Sequence, residues 1–131
     1  LSLLLNAAQS METRGSIIVR AGVDGDQAWV EIQDNGRGIA AEQLTRIFDP
    51  FYTTRPPGQG YGLGLTLSYS IVKKHHGHIA ASSSLGKGST FRITLPLRQT
   101  QLLETNKPGK TYWATENTEI TEVKPTVVMK L

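Results

Sequence analysis

Two stretches of this chain carry residue types that could do chemistry. The first is Asp34-Asn35-Gly36-Arg37-Gly38-Ile39, a carboxylate followed by a glycine-loosened backbone. The second is Gly58-Gln59-Gly60-Tyr61-Gly62-Leu63-Gly64-Leu65, a glycine-rich run that leads into an apolar segment. A buried carboxylate accepts well from an exocyclic amine, as acids do with the amino groups of bases. Adenine offers an amine where guanine offers a carbonyl, so an interior acid in a purine pocket selects adenine. Asp-Asn-Gly also closes turns through its own backbone, and Asp34 alone is open to both readings. Gly36 and Gly38 let the backbone approach a flat ring, or simply make a turn. Gly60, Gly62 and Gly64 precede or open a helix, whose free N–H groups favour an anion. The Gly-Lys-Ser/Thr ending of a P-loop is missing, and no single βαβ unit surrounds the glycines, so neither that motif nor a dinucleotide fingerprint fits.

The elements around these stretches must position them. Residues 1–12 predict a helix with Leu1, Leu4, Leu5, Ala8 and Met11 as an apolar stripe. Ser2, Asn6, Gln9 and Ser10 share its other side, a short polar face able to line a cleft. Residues 16–23 are rich in β-branched side chains, Asp24-Gly25 is a hairpin signal, and residues 27–34 form the next strand. Ala28, Val30 and Ile32 point to one face, and Asp34 shares their parity. Asp34 is therefore aimed at the interior, where an acid must find donors. Residues 40–48 predict a short helix that Asp49-Pro50 stops. Residues 51–60 are a loop, and 63–76 the longest helix, with Leu63, Leu67 and Ile71 buried and Leu65, Tyr69 and Val72 widening the stripe. Gly77 stands at its C-terminal cap. Residues 79–85 and 89–95 are strands joined by Gly86-Lys87-Gly88, with Phe91, Ile93 and Leu95 alternating against Thr90, Arg92 and Thr94. Hairpins with helices between them define an α+β sandwich, a mainly antiparallel sheet with helices on one face.

The 131 residues suffice for one compact domain with a real core. No run of about 18 apolar residues exists to span a membrane, and the opening inside an apolar run reads as a piece of a longer protein. The absence of Cys excludes disulfides and thiolate metal sites. The net charge of +3 is scattered, with no dense basic run among aromatics, so nucleic acid is not expected as a partner. After about Arg98 the composition turns rich in Thr, Glu and Lys. Residues 99–131 read as linker, with 111–114 and 125–131 as possible strands.

Four boxes in order give the chain a resemblance. Leu3-Leu4-Leu5-Asn6-Ala7 resembles the end of an N-box, and Asp34 to Ile39 a first glycine box. Ile47-Phe48-Asp49-Pro50-Phe51-Tyr52-Thr53-Thr54 resembles an F-box, and Gly60-Tyr61-Gly62-Leu63-Gly64-Leu65 a second glycine box. The run from Gly86 through Pro96 matches as well. Together these resemble the catalytic, ATP-binding domain of sensor histidine kinases. The wider family includes gyrase-type, mismatch-repair and heat-shock-chaperone ATPases (the GHKL or Bergerat fold, a two-layer α/β sandwich). The resemblance covers residues 1–98. The short loop before the second glycine box is similar to the nitrogen-regulation subtype. The F-box argues against an anti-sigma-type serine kinase.

The resemblance implies roles. Asn6 would ligate Mg²⁺ through its amide oxygen. Asp34 would take the adenine amine, with Gly36 and Gly38 beside the ring. Gly60, Gly62 and Gly64, with Tyr61, Leu63 and Leu65, would fold a lid over the phosphates. Thr54 belongs to the nucleotide site, Arg55 is a candidate for a phosphate oxygen, and Thr90 for holding a water between Asp34 and adenine. Phe48, Phe51 and Tyr52 would pack the lid against the core. The cofactors implied are ATP and Mg²⁺. The implied partners are the chain's own upstream dimerisation (histidine phosphotransfer) domain and a response-regulator receiver domain, in a homodimeric parent; this domain is expected to be cytoplasmic, with the parent open to anchoring in a membrane. The phospho-acceptor lies on that absent domain, so His75, His76 and His78 are not expected to carry phosphate or to bind zinc. Ser2 stands where the N-box usually has another Asn and related ATPases an activating acid, so self-contained hydrolysis is not expected. Gln9 replaces a common phosphate-binding Lys, Tyr61 a small Thr, and His76 a Gly. Ser2, Gln9 and Tyr61 motivate an alternative, a degenerate nucleotide-sensing or docking module. Lys124-Pro125-Thr126-Val127-Val128 resembles the entry to a receiver domain, but the acidic cluster does not follow.

Overall fold

The computed structural model describes residues 1–54 and 61–98 and the backbone of 126–130. The elements run α1 (Ser2–Gln9), β1 (Ser16–Asp24), β2 (Gln27–Asp34), α2 (Ala41–Leu44), α3 (Gly64–Lys74), β3 (His78–Ser84), β4 (Gly88–Pro96) and β5 (Thr126–Lys130). The strands form one sheet in the order β3-β4-β2-β1-β5, and every pairing is antiparallel. The expected α+β sandwich is present.

Period-2 alternation builds the core. Ile17 lies opposite Asp34, Ile32 opposite Phe91, and Ile79 opposite Ile93. Opposite residues in an antiparallel pair share a face, so these side chains form one apolar layer. Leu3 and Ala7 of α1 and Val72 of α3 close over it, together with Ile47. The other face of the sheet is polar. There Glu31 lies 3.0 Å from Arg20 and 3.8 Å from Arg92, whose guanidinium stacks 4.4 Å over Trp29. The described helices therefore lie on one face, because the opposite face has no apolar row to cover.

Several expectations are corrected. The helix predicted over residues 1–12 ends at Gln9, because the Ser10 carbonyl accepts from Arg37 N–H (3.0 Å) and turns the chain toward β2. Its buried stripe is centred on Leu3 and Ala7, while Leu1 and Leu5 are exposed. The helix expected over 40–48 keeps α-geometry only to Leu44. Beyond it, bonds such as Asp49 N–H to Arg46 O tighten to three-residue spacing ahead of Pro50. On α3 the predicted stripe faces outward, with Leu67 58% and Ile71 50% exposed. Leu65 and Val72 face the core instead, and Tyr69 stacks on Phe48 with centroids 5.5 Å apart. Apolar residues on several sides of α3 left its rotation undetermined by pattern alone.

The C-terminus of α3 is also capped differently. His76, not Gly77, takes the left-handed conformation (φ 56°). His76 N–H donates to Lys73 O and Gly77 N–H to Val72 O, both at 2.9 Å, the paired bonds of a Schellman cap. Gly77 is needed for space, since a Cβ there would stand 2.6 Å from the Thr94 carbonyl oxygen. A left-handed non-glycine residue costs about 1–2 kcal/mol, and glycine returns about 0.5–1 kcal/mol as unfolded-state entropy. His76→Gly is accordingly expected to raise the thermal midpoint by roughly 2–4 °C. A lower midpoint in differential scanning calorimetry would contradict this account of the cap.

In the tail, Thr126–Lys130 pairs with β1, Met129 opposite Ile17 and Val127 opposite Val19. The possible strand at 111–114 lies outside the described residues.

Candidate functional site

Asp34 ends β2 on the helix-covered face and is 4% exposed. Its Oδ1 accepts from Ser10 Oγ (2.9 Å), Gly36 N–H (2.9 Å) and Ser89 N–H (3.3 Å). The Gly36 bond is the self-closing turn of an Asp-Asn-Gly sequence. The turn and the interior-acid readings are therefore compatible, since a carboxylate has two oxygens and the turn uses one.

Asp34 stands at the wall of a cavity of about 630 Å³. The polar face of α1 lines it with Ser2, Asn6, Gln9 and Ser10, as the helix pattern predicted. Asn6 and Ser10 are one helical turn apart and project together. The F-box supplies Ile47, Tyr52, Thr53 and Thr54, and the second glycine box supplies Tyr61, Gly62, Leu63, Gly64 and Leu65. Thr66 Oγ1 donates to Phe48 O (3.1 Å) and Tyr69 stacks on Phe48, which holds the F-box on α3, while Arg46 stacks 4.7 Å over Tyr52 at the F-box itself. Phe51 departs from its expected packing role. Its backbone is left-handed (φ 64°) and the residue is 74% exposed.

The glycines divide by what they make room for. A Cβ on Gly36 would run into the Ser10 hydroxyl, and one on Gly38 (φ 73°) into the Ser84 carbonyl. Both let the chain approach itself, and of the two Gly38 also lines the cavity. Gly64, the first residue of α3, is different. The nearest atom to a Cβ there is Ser2 Cβ at 3.6 Å, an ordinary contact. The protein itself does not need glycine at that position. Among the described residues no side chain caps the start of α3, and no acid stands in its first turn, so its N–H groups present an electropositive end to the cavity.

Two predicted site residues do not line the cavity: Gly36, which packs on Ser10, and Thr90. Thr90 has the parity of Gln33, which it pairs with, and the two line a second hollow of about 240 Å³ on the polar face. Ser89 takes its place, buried beside Asp34 and lining the main cavity. The signal was available in the sequence. If Phe91 faces inward, so does Ser89, and Thr90 does not. Arg55 and Gly60 lie outside the described residues. Sequence reasoning missed Arg37, Ile39, Gln43 and Leu85 as lining residues. Arg37 and Ile39 were detectable as members of the first glycine box. Leu85 was not, because it reaches the cavity only when Gly86 N–H bonds Arg37 O (2.8 Å) and joins two loops distant in sequence.

An antiparallel sheet under helices, with a cavity between a buried acid and an uncapped glycine-rich helix start, is the architecture of a nucleotide-type cleft. The family model described as "Histidine kinase-, DNA gyrase B-, and HSP90-like ATPase" matches residues 1–99. The chain belongs to this family. It is similar to the sensor histidine kinase ZraS of Escherichia coli (strain K12), 44% identical over 101 residues, 77% of this chain and 21% of that one. It is also similar to sporulation kinase E of Bacillus subtilis (strain 168), 41% identical over 76% of this chain and 13% of that one. Among solved structures, the mycobacterial sensor histidine kinase MprB superposes with a TM-score of 0.65 at 31% identity, over 73% of this chain and 66% of that one. The chain thus spans about a fifth or less of the length of the two curated relatives. The family match ends at residue 99, so β5 lies beyond it. Among the described residues, no helix is long and apolar enough to cross a membrane.

Proposed function

We propose that the cavity binds ATP with Mg²⁺, and that the domain delivers the terminal phosphoryl group to a histidine on an upstream dimerisation domain. From there the group passes to an aspartate of a response regulator; the parent is a homodimer and this domain works on the cytoplasmic side. The observation that carries this reading is the pairing of Asp34 with the start of α3 across one cavity. Asp34 has Oδ1 tied down by three donors, which leaves Oδ2 for the 6-amino group of adenine. The uncapped first turn of α3 receives the phosphates, and Gly64 gives them backbone access without serving the fold. The solved structure of full-length ShkA, 28% identical with a TM-score of 0.64, is described as a complex with AMPPNP, which supports a triphosphate site.

The donor set suits Mg²⁺. Among the described residues no group of three His, Cys, Asp or Glu side chains gathers, so the protein offers single oxygens such as the Asn6 amide. A hard cation held by one side chain, phosphates and water matches that supply. Mg²⁺ when bound offsets phosphate charge, and the chain's own residues orient base and phosphates.

Titration of the domain with a fluorescent ATP analogue in Mg²⁺ tests the reading. Saturable binding that ATP and ADP displace and GTP does not is expected. Equal displacement by GTP, or no saturation, would remove it. Ser2, Gln9 and Tyr61, three of the four departures from the motif, all line the cavity. That favours a second reading, a nucleotide-sensing module without transfer. Mg·ATP binding with no labelling of the upstream helical domain by γ-labelled ATP would decide for it.

A further inference from the structure

We infer that Ser10 is a positioning residue for base recognition: its hydroxyl pins one oxygen of Asp34 so that the other is presented to a 6-amino purine. The inference rests on the reading of the cavity as an ATP site and adds a specificity element to it.

Ser10 Oγ lies 2.9 Å from Asp34 Oδ1 and 2.8 Å from Ala7 O. A hydroxyl has a single proton, so it donates to one of the two at a time. The carboxylate is the stronger acceptor, since charge-assisted bonds are roughly twice as strong as neutral ones. Ser10 is the only side chain among the three donors to Oδ1; Gly36 and Ser89 give backbone N–H groups. The two backbone donors are fixed by the turn and by β4. The side-chain donor comes from a different layer, the end of α1.

The position of Ser10 is over-determined. Its carbonyl accepts Arg37 N–H at 3.0 Å, and Gly36 packs so closely on its hydroxyl that no Cβ fits between them. Helix end and glycine loop therefore hold the Oγ in one place. With three donors on Oδ1, rotation of the carboxylate about its Cβ–Cγ bond would leave donors unpaired in a site that is 4% exposed. The orientation of Oδ2 is set in this way before any ligand arrives. Asn6, one turn earlier on the same face, places a cavity-lining amide on the same helix. One helix end thus carries groups for both ends of a nucleotide.

The test compares Ser10→Ala and Ser10→Thr with the unaltered chain. Probes are Mg·ATP and purine riboside triphosphate, which lacks the 6-amino group. Thermal midpoints are measured in parallel. Ser10→Ala is expected to weaken ATP roughly tenfold, the scale of a lost charge-assisted hydrogen bond, and to leave the analogue within about twofold. Ser10→Thr, which keeps the hydroxyl, is expected to restore most of the ATP affinity. Loss of ATP and analogue in equal measure would overturn the proposal and assign Ser10 a purely structural part. So would unchanged ATP binding by Ser10→Ala, or a folded Ser10→Thr that behaves like it. If the unaltered chain binds neither nucleotide, the ATP reading itself fails, an outcome distinct from all of these.

Discussion

Asp34→Asn is expected to lower ATP affinity by about a hundredfold while leaving the fold in place. Asparagine has the same shape, so the layer of Ile17, Ile32 and Phe91 around it has no reason to move. What changes is the inventory of donors and acceptors. If the amide oxygen takes the place of Oδ1 and keeps Ser10, Gly36 and Ser89 as donors, the amide NH₂ faces the 6-amino group of adenine. Two donors then meet in a dry site. If the amide flips, the NH₂ faces three donors instead. Neither orientation is good, and the negative charge is lost in both. Hydrogen bonds to charged groups contribute about 1.5–3 kcal/mol, and a buried group left unpaired costs a similar amount. A loss of about 3 kcal/mol corresponds to roughly a hundredfold in affinity. Isothermal titration with ATP, alongside far-ultraviolet circular dichroism, measures both parts. Equal binding by the two proteins would take Asp34 out of base recognition.

Gly88→Ala should lower stability by about 3 kcal/mol or more. Gly88 opens β4 with φ 89°, outside the range side chains favour. A Cβ there would overlap the Asp34 carbonyl oxygen and lie 2.8 Å from Asn35 Cα. Those atoms are backbone and cannot rotate away. Left-handed strain of about 1–2 kcal/mol adds to overpacking of about 1–3 kcal/mol. Gly86→Ala is the internal control. Gly86 has φ 73°, but nothing lies within 4 Å of its Cβ position, so only the strain remains, about 1 kcal/mol. Thermal melts of the two variants should differ by roughly 10 °C or more. Equal melting points would show that close approach at Gly88 is not what matters. Because Ser89 N–H reaches Asp34 only when Gly88 is seated, ATP affinity should fall in Gly88→Ala and not in Gly86→Ala.

Much of the fold was legible because strands have a period of two. The parity that turned Asp34 inward with Ile32 is geometry, and the structure keeps it. The same rule, carried one strand further, separates Ser89 from Thr90. The polar face of α1 was equally legible, since Ser2, Asn6, Gln9 and Ser10 must project together. Helix α3 was not. Leu63, Leu65, Leu67, Ile71 and Val72 surround most of its circumference, and a 3.6-residue period with apolar residues on every side has no preferred rotation.

The amino-acid sequence alone determined the antiparallel α+β order, the inward acid at the end of β2 and the glycine-rich start of α3. These follow from local rules: alternation, turn chemistry and capping. Only the tertiary structure decided which oxygen of Asp34 is held, because its donors come from residues 10, 36 and 89, on three separate segments. It also decided which glycines serve the chain and which are left for a ligand. Gly36, Gly38 and Gly88 face the protein's own atoms, whereas Gly64 faces open cavity. That distinction depends on what stands within 4 Å of a missing Cβ, and residues far apart in the sequence supply it.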